Sequence, residues 1–146
     1  MITRRTTLAL FVSAIALPAA AASPQIFQTN GVAINGFDPV AYFTEGQPVA
    51  GSARHSFDWS GATWHFANEA NRAVFAESPE AYAPQFGGYC AYAASKNALA
   101  TTVPDAWTVY DGKLYLNANL RARELWSQDK DANIALALGF WPGPLG

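Results

Sequence analysis

Arg54-His55-Ser56-Phe57-Asp58-Trp59-Ser60-Gly61-Ala62-Thr63-Trp64-His65-Phe66-Ala67 decides the fold class. Two aromatic-rich runs flank Ser60-Gly61, and a two-residue loop of this type turns one antiparallel strand into the next. Such a loop pairs Trp59 with Ala62, Phe57 with Trp64 and His55 with Phe66. Opposed residues share a face of the ladder. His55, Phe57, Trp59, Trp64 and Phe66 are therefore expected on a core face, and Ser56, Asp58, Thr63 and His65 on a polar one.

A second hairpin is predicted around Asp111-Gly112, a turn dipeptide that tolerates two positive φ angles. It places Trp107, Val109, Leu114 and Leu116 on one face, and Thr108, Tyr110, Lys113 and Tyr115 on the other. Helical sequence surrounds the hairpins. Asp38-Pro39 fits an N-cap followed by proline in the first turn, with the helix ending before Gly46-Gln47-Pro48. Asn68 is placed to cap a helix through Glu77 that buries Ala70, Val74 and Phe75. Pro79 opens a short turn through Tyr82. A further helix is expected from near Gly88, carrying Cys90 into Ala94. Asn119 caps Leu120 to Gln128, and Lys130 to Leu138 forms a last helix before Gly139. The order predicts an α+β fold: a small antiparallel sheet built from the two hairpins, with several short helices packed on it.

Residues 1–22 read as a signal peptide. Arg4 and Arg5 form a basic start, Leu8 to Leu17 is apolar, and Ala20-Ala21-Ala22 fits small-residue cleavage. The apolar run is short for a permanent span, which needs about 20 residues, so no transmembrane anchor is expected after cleavage. Thr3-Arg4-Arg5-Thr6-Thr7-Leu8 also resembles a twin-arginine signal, so both the general secretory and the twin-arginine routes fit. Either one implies a periplasmic or secreted protein. Residues 23–36 form a lead-in, and residues 37–142 a single domain. Of 146 residues, nine are basic and eleven acidic. Losing Arg4 and Arg5 with the signal leaves a net charge of −4. With no basic run, nucleic acid is not an expected partner.

Asp38-Pro39-Val40, His55-Ser56, Trp64-His65-Phe66, Phe75 and Ser78-Pro79-Glu80-Ala81-Tyr82 resemble the YHS domain family in order and spacing. Gly87-Gly88-Tyr89-Cys90-Ala91-Tyr92-Ala93 and Asp111-Gly112-Lys113-Leu114-Tyr115-Leu116-Asn117 resemble its exported bacterial branch. The resemblance spans roughly residues 31–142. It implies kinship with small treble-clef-like domains attached to heavy-metal transporters and sensors. In those relatives one cysteine follows Asp-Pro-Val and two lie in a Phe-Cys-Ser-x-x-Cys pattern. The corresponding positions here are Ala41, Ala67 and Asn71, so the family's thiolate knuckle cannot form.

Cys90 is the only cysteine. An exported protein leaves a lone thiol either buried or in use. In use, Cys90 would be a thiolate ligand or reactive thiol close to a helix start, where the dipole lowers its pKa. The register makes His55 its candidate partner, and a Cys90–His55 pair would suit a soft transition metal such as copper or zinc. Tyr89 and Tyr42, with Tyr92, are candidates to line a ligand pocket beside it. His65 falls on the opposite face from His55. No Ser-His-Asp order, paired-carboxylate pattern, phosphate loop or HExxH motif is present, so catalysis is the less favoured class. A thiol enzyme would need an accessible, low-pKa Cys90. Two readings lead. One is a small exported binding protein holding a soft metal or small ligand near Cys90. The other is a non-enzymatic accessory module that docks a cell-envelope partner, with Cys90 buried and structural.

Overall fold

The computed structural model describes residues 22–146. The signal-peptide reading therefore falls almost wholly outside the described residues. Among the described residues the fold is α+β, with six α-helices, a four-stranded mixed sheet and a separate two-stranded antiparallel sheet.

The sheet begins before the first hairpin. β1 (Gln28–Thr29) and β2 (Val32–Ala33) turn about Asn30-Gly31 and pair antiparallel. β3 (Ser52–Trp59) and β4 (Ala62–Phe66) form the hairpin. Val32 then pairs with Thr63 in parallel, giving the strand order β1-β2-β4-β3. The lead-in is thus part of the sheet, and its Ile26, Phe27, Ala33 and Ile34 are buried. Alternating-residue logic could not see this, because two-residue strands carry too little pattern.

The hairpin register holds from Trp59–Ala62 through Phe57–Trp64 and Ser56–His65, then breaks. The next pair is Ser52 with Phe66, so residues 53–55 bulge out of the ladder. His55 therefore does not oppose Phe66. Its Nδ1 lies 3.8 Å from the Glu69 carboxylate, and its side chain is about one-third exposed. A bulge inserts unpaired residues and re-aims the side chains it carries. Beside it, Gly51 passes so close that a Cβ there would lie 2.5 Å from the His65 carbonyl carbon.

The expectation of a single sheet from both hairpins is corrected by β5 (Trp107–Tyr110) and β6 (Lys113–Leu116), which pair only with each other. Their register about Asp111-Gly112 is the expected one, and both turn residues have positive φ. This small sheet is covered on both faces. Leu114 and Leu116 join the main core with Trp64, Phe66, Phe75, Ile34 and Tyr42. Tyr115 joins a second core with Phe86, Trp126, Ala91 and Ala137. Phe75 centres the first core, with its ring centroid 5.1–6.2 Å from those of Phe57, Trp59, Trp64 and Phe66. Such pairs add about 0.5–1.5 kcal/mol each beyond area burial.

The helices are α1 (Ala41–Thr44), α2 (Glu69–Glu77), α3 (Pro79–Tyr82), α4 (Ala91–Ser95), α5 (Leu120–Ser127) and α6 (Lys130–Phe140). Asn68, Asn119 and Asp129 each accept a hydrogen bond from the backbone N–H three residues on, as helix caps do. On α2 only Phe75 is buried, while Ala70 and Val74 face outward. The helix expected from Gly88 starts later. Gln85–Gly88 forms a 3-10 turn, and Cys90 is the N-cap of α4. α6 runs past Leu138 to Phe140, and leaves Leu136, Leu138 and Phe140 exposed. Among the described residues no helix is long and apolar enough to cross a membrane.

Candidate functional site

The Gly87-to-Ala93 run packs tightly because Gly87 lies against backbone and Gly88 against side chains. Gly87 has φ +65°, and a Cβ there would lie 1.9 Å from the Gln25 carbonyl oxygen. Gly88 has φ +82°, and a Cβ there would meet Ile34 at 2.6 Å. Only glycine takes such a backbone with no room for a side chain. The approach is used: Phe27 N–H donates to the Gly87 carbonyl at 2.8 Å, and Thr102 Oγ1 donates to that of Gly88 at 2.7 Å. Tyr89 then donates its hydroxyl to the Pro24 carbonyl at 2.8 Å. The motif clasps the first described residues onto the core.

Cys90 completes the clasp. It is 2% exposed. Its sulfur accepts from Ala118 N–H at 3.3 Å and Ala93 N–H at 3.5 Å, and its thiol donates to Asn117 Oδ1 at 3.4 Å. Asn117 Oδ1 also accepts from Tyr92 N–H at 3.0 Å. The thiol and the amide together tie the end of β6 to the first turn of α4. Sulfur bonds of this kind are weak, so packing supplies most of the stabilisation. Asn117 lies in the Tyr115-Leu116-Asn117 motif, but nothing in the sequence marked it as the partner of Cys90. Only the fold brings positions 90 and 117 together.

The candidate residues do not form one constellation. Cys90 bonds within the α4–β6 junction, and His55 faces Glu69 on the outer edge of the large sheet. Tyr42 is 2% exposed, stacks near Trp107 at 5.4 Å, and donates to the Pro104 carbonyl at 3.0 Å. Tyr89 serves Pro24. Among the described residues no group of three or more His, Cys, Asp and Glu side chains could hold a metal ion. A closed copper or zinc site needs three or four converging ligands, and the donors around Cys90 Sγ are N–H groups. These residues do not fit such an ion. Asn117 is fully buried, and its Nδ2 has no acceptor among the described residues.

Burial pushes the Tyr42 hydroxyl well above its usual range, with the nearby Asp105 charge adding to the shift. Burial also raises Tyr89 and Tyr115. A raised phenol keeps its full contribution below the unfolded pKa of about 10 and loses it as pH climbs toward the folded value. Thermal midpoints are expected to hold to about pH 9 and fall steeply beyond pH 10. Tyr42→Phe flattens that fall, at the loss of one hydrogen bond, about 1 kcal/mol. An alkaline profile identical in both proteins contradicts the assignment.

A second constellation centres on a buried carboxylate. Asp38 is fully buried. Its Oδ1 accepts from Val40 N–H at 2.8 Å and Ala41 N–H at 3.3 Å. Its Oδ2 accepts from Ala67 N–H at 2.9 Å and Asn71 Nδ2 at 2.8 Å. Positions 41, 67 and 71 are the three that the sequence resemblance set against cysteines of the YHS family. They converge here on one carboxylate, which links the start of α1, the end of β4 and α2 through hydrogen bonds. The N-cap of α1 is Val40 and not Asp38 as expected, and Asp38 instead holds the turn that leads into the helix.

Comparison with protein-family models, curated proteins and solved structures finds no match to this chain.

Proposed function

We propose that this chain is a small exported YHS-type accessory module that acts by binding rather than by catalysis, with Cys90 structural. The carrying observation is the state of the thiol: 2% exposed and bonded to Asn117, Ala93 and Ala118. A reactive cysteine is accessible, and this one is not. The convergence of positions 41, 67 and 71 on Asp38 supports the YHS resemblance, because it gathers the family's knuckle positions at one point. It also supports a module that has exchanged metal handling for a metal-free cross-link. The signal-like residues 1–22 support a periplasmic or secreted location and a partner in the cell envelope.

A second reading keeps a small ligand at Cys90, on the strength of the unpartnered Asn117 Nδ2. One experiment separates the two. Cys90 of the native protein is expected to react with an aromatic disulfide reagent at least about a hundredfold more slowly than in denaturant, because labelling requires opening of the fold. Titration with Cu(I) and Zn(II) is expected to give the same result for the parent and for Cys90→Ala. Fast native labelling, or stoichiometric metal binding lost in Cys90→Ala, favours the thiol-centred reading and overturns ours.

A further inference from the structure

A groove of about 390 Å³ opens between the large sheet and the C-terminal residues, and none of Cys90, His55, Tyr42 and Tyr89 lines it. Trp59 and Trp141 line it, with Glu80 from α3, Gln25, Ser60 and Gly87. Each indole is half-buried and fixed from behind. Trp59 packs on Trp64 at 5.9 Å and edge-on to Phe75 at 5.8 Å. Trp141 packs on Phe86 at 5.6 Å and Tyr89 at 6.3 Å. The free surface of each ring is therefore held in place before anything binds. The close approach at Gly87 shapes the groove, bringing Gln25 against it.

The charge in this groove has one sign. Glu80 is exposed and has no ion-pair partner among the described residues. No lysine or arginine lines the groove. An adjoining groove shares Trp59 and Ser60 and carries a second carboxylate, Asp58, again without a base. Indole faces attract cations, tryptophan most strongly of the aromatic residues, and a nearby carboxylate adds charge complementarity. The volume falls in the range of small-ligand sites, which combine apolar walls with a few polar groups.

We propose that this groove binds a small organic cation of the alkylated-ammonium class, seated against Trp59 and Trp141 and charge-paired with Glu80. The proposal does not depend on Cys90, and its test includes Cys90→Ala so that the two readings fail separately. Choline and its neutral isostere 3,3-dimethylbutanol are titrated into the full chain, and the five indole N–H resonances are followed by NMR. Choline is expected to shift the Trp59 and Trp141 resonances saturably and leave Trp64, Trp107 and Trp126 in place. The isostere binds at least about threefold more weakly, the scale of an exposed cation–π contact. Glu80→Gln is surface-exposed and keeps the fold. It weakens choline about threefold or more, and higher salt reduces the difference between the variant and the parent. Cys90→Ala binds choline as the parent does. No saturable shift, equal binding of the isostere, or unchanged affinity in Glu80→Gln overturns the proposal.

Discussion

Asp38→Ala is expected to lower stability by about 4 kcal/mol or more, since it strands four N–H donors around a fully buried position. Each orphaned buried donor costs roughly 1–3 kcal/mol, although relaxation and water recover part of it. Small domains hold only about 5–15 kcal/mol in total, so this variant approaches the limit of folding. Two milder changes grade the effect. Asp38→Asn keeps one acceptor oxygen and turns an NH2 group toward existing donors, for an expected loss of about 2–3 kcal/mol. Asn71→Ala removes a single donor and costs about 1 kcal/mol. Urea midpoints at unchanged slope measure all three. A loss below about 1 kcal/mol for Asp38→Ala shows that the carboxylate is not the cross-link described.

The second large effect is expected at Gly87→Ala, about 3 kcal/mol or more. Two costs combine. Alanine at φ +65° pays about 1 kcal/mol for the left-handed conformation. Its Cβ would also lie 1.9 Å from the Gln25 carbonyl oxygen, so residues 25–27 must move and the Phe27-to-Gly87 bond is lost. Gly61→Ala is the control. It has φ +79° and open space around it, so only the conformational cost of about 1 kcal/mol applies. Equal losses at the two positions would remove the case for a clasp. Because Gly87 lines the tryptophan groove, the variant also loses whatever cation binding that groove supports.

Much of the fold was legible because its signals are local. The turn pairs Ser60-Gly61 and Asp111-Gly112 set both hairpins, and the Asn68 and Asn119 caps set the starts of α2 and α5. The first register failed at His55, where a bulge overrides strict alternation, and with it went the reason to place that histidine beside Cys90. β1 and β2 were missed because parallel pairing of Val32 with Thr63 is a tertiary event with no local pattern. The Gly87-Gly88 step permits a close approach, and what it approaches is the chain's own lead-in. Asn117, Trp141 and the wider role of Asp38 were invisible for the same reason. Asn117 meets Tyr92 across 25 residues and Asp38 meets Asn71 across 33, while Trp141 packs on Phe86 and Tyr89 of a separate element, and no spacing rule links them.

Ser23 N–H donates to the Leu145 carbonyl at 2.8 Å, so the two ends of the described fold touch. The described fold, from 23 to 145, is in effect a closed loop with one bond left out. Bridging residues 23 and 145 with a short flexible linker and opening the chain at the exposed Gly46 turn produces a reordered sequence with the same neighbours throughout. The clasp then becomes an internal joint, held whichever residue is made first. In the natural order the Ser23–Leu145 contact is one tie among several, because β4, Gly87 and Tyr89 hold residues 24–33 without it.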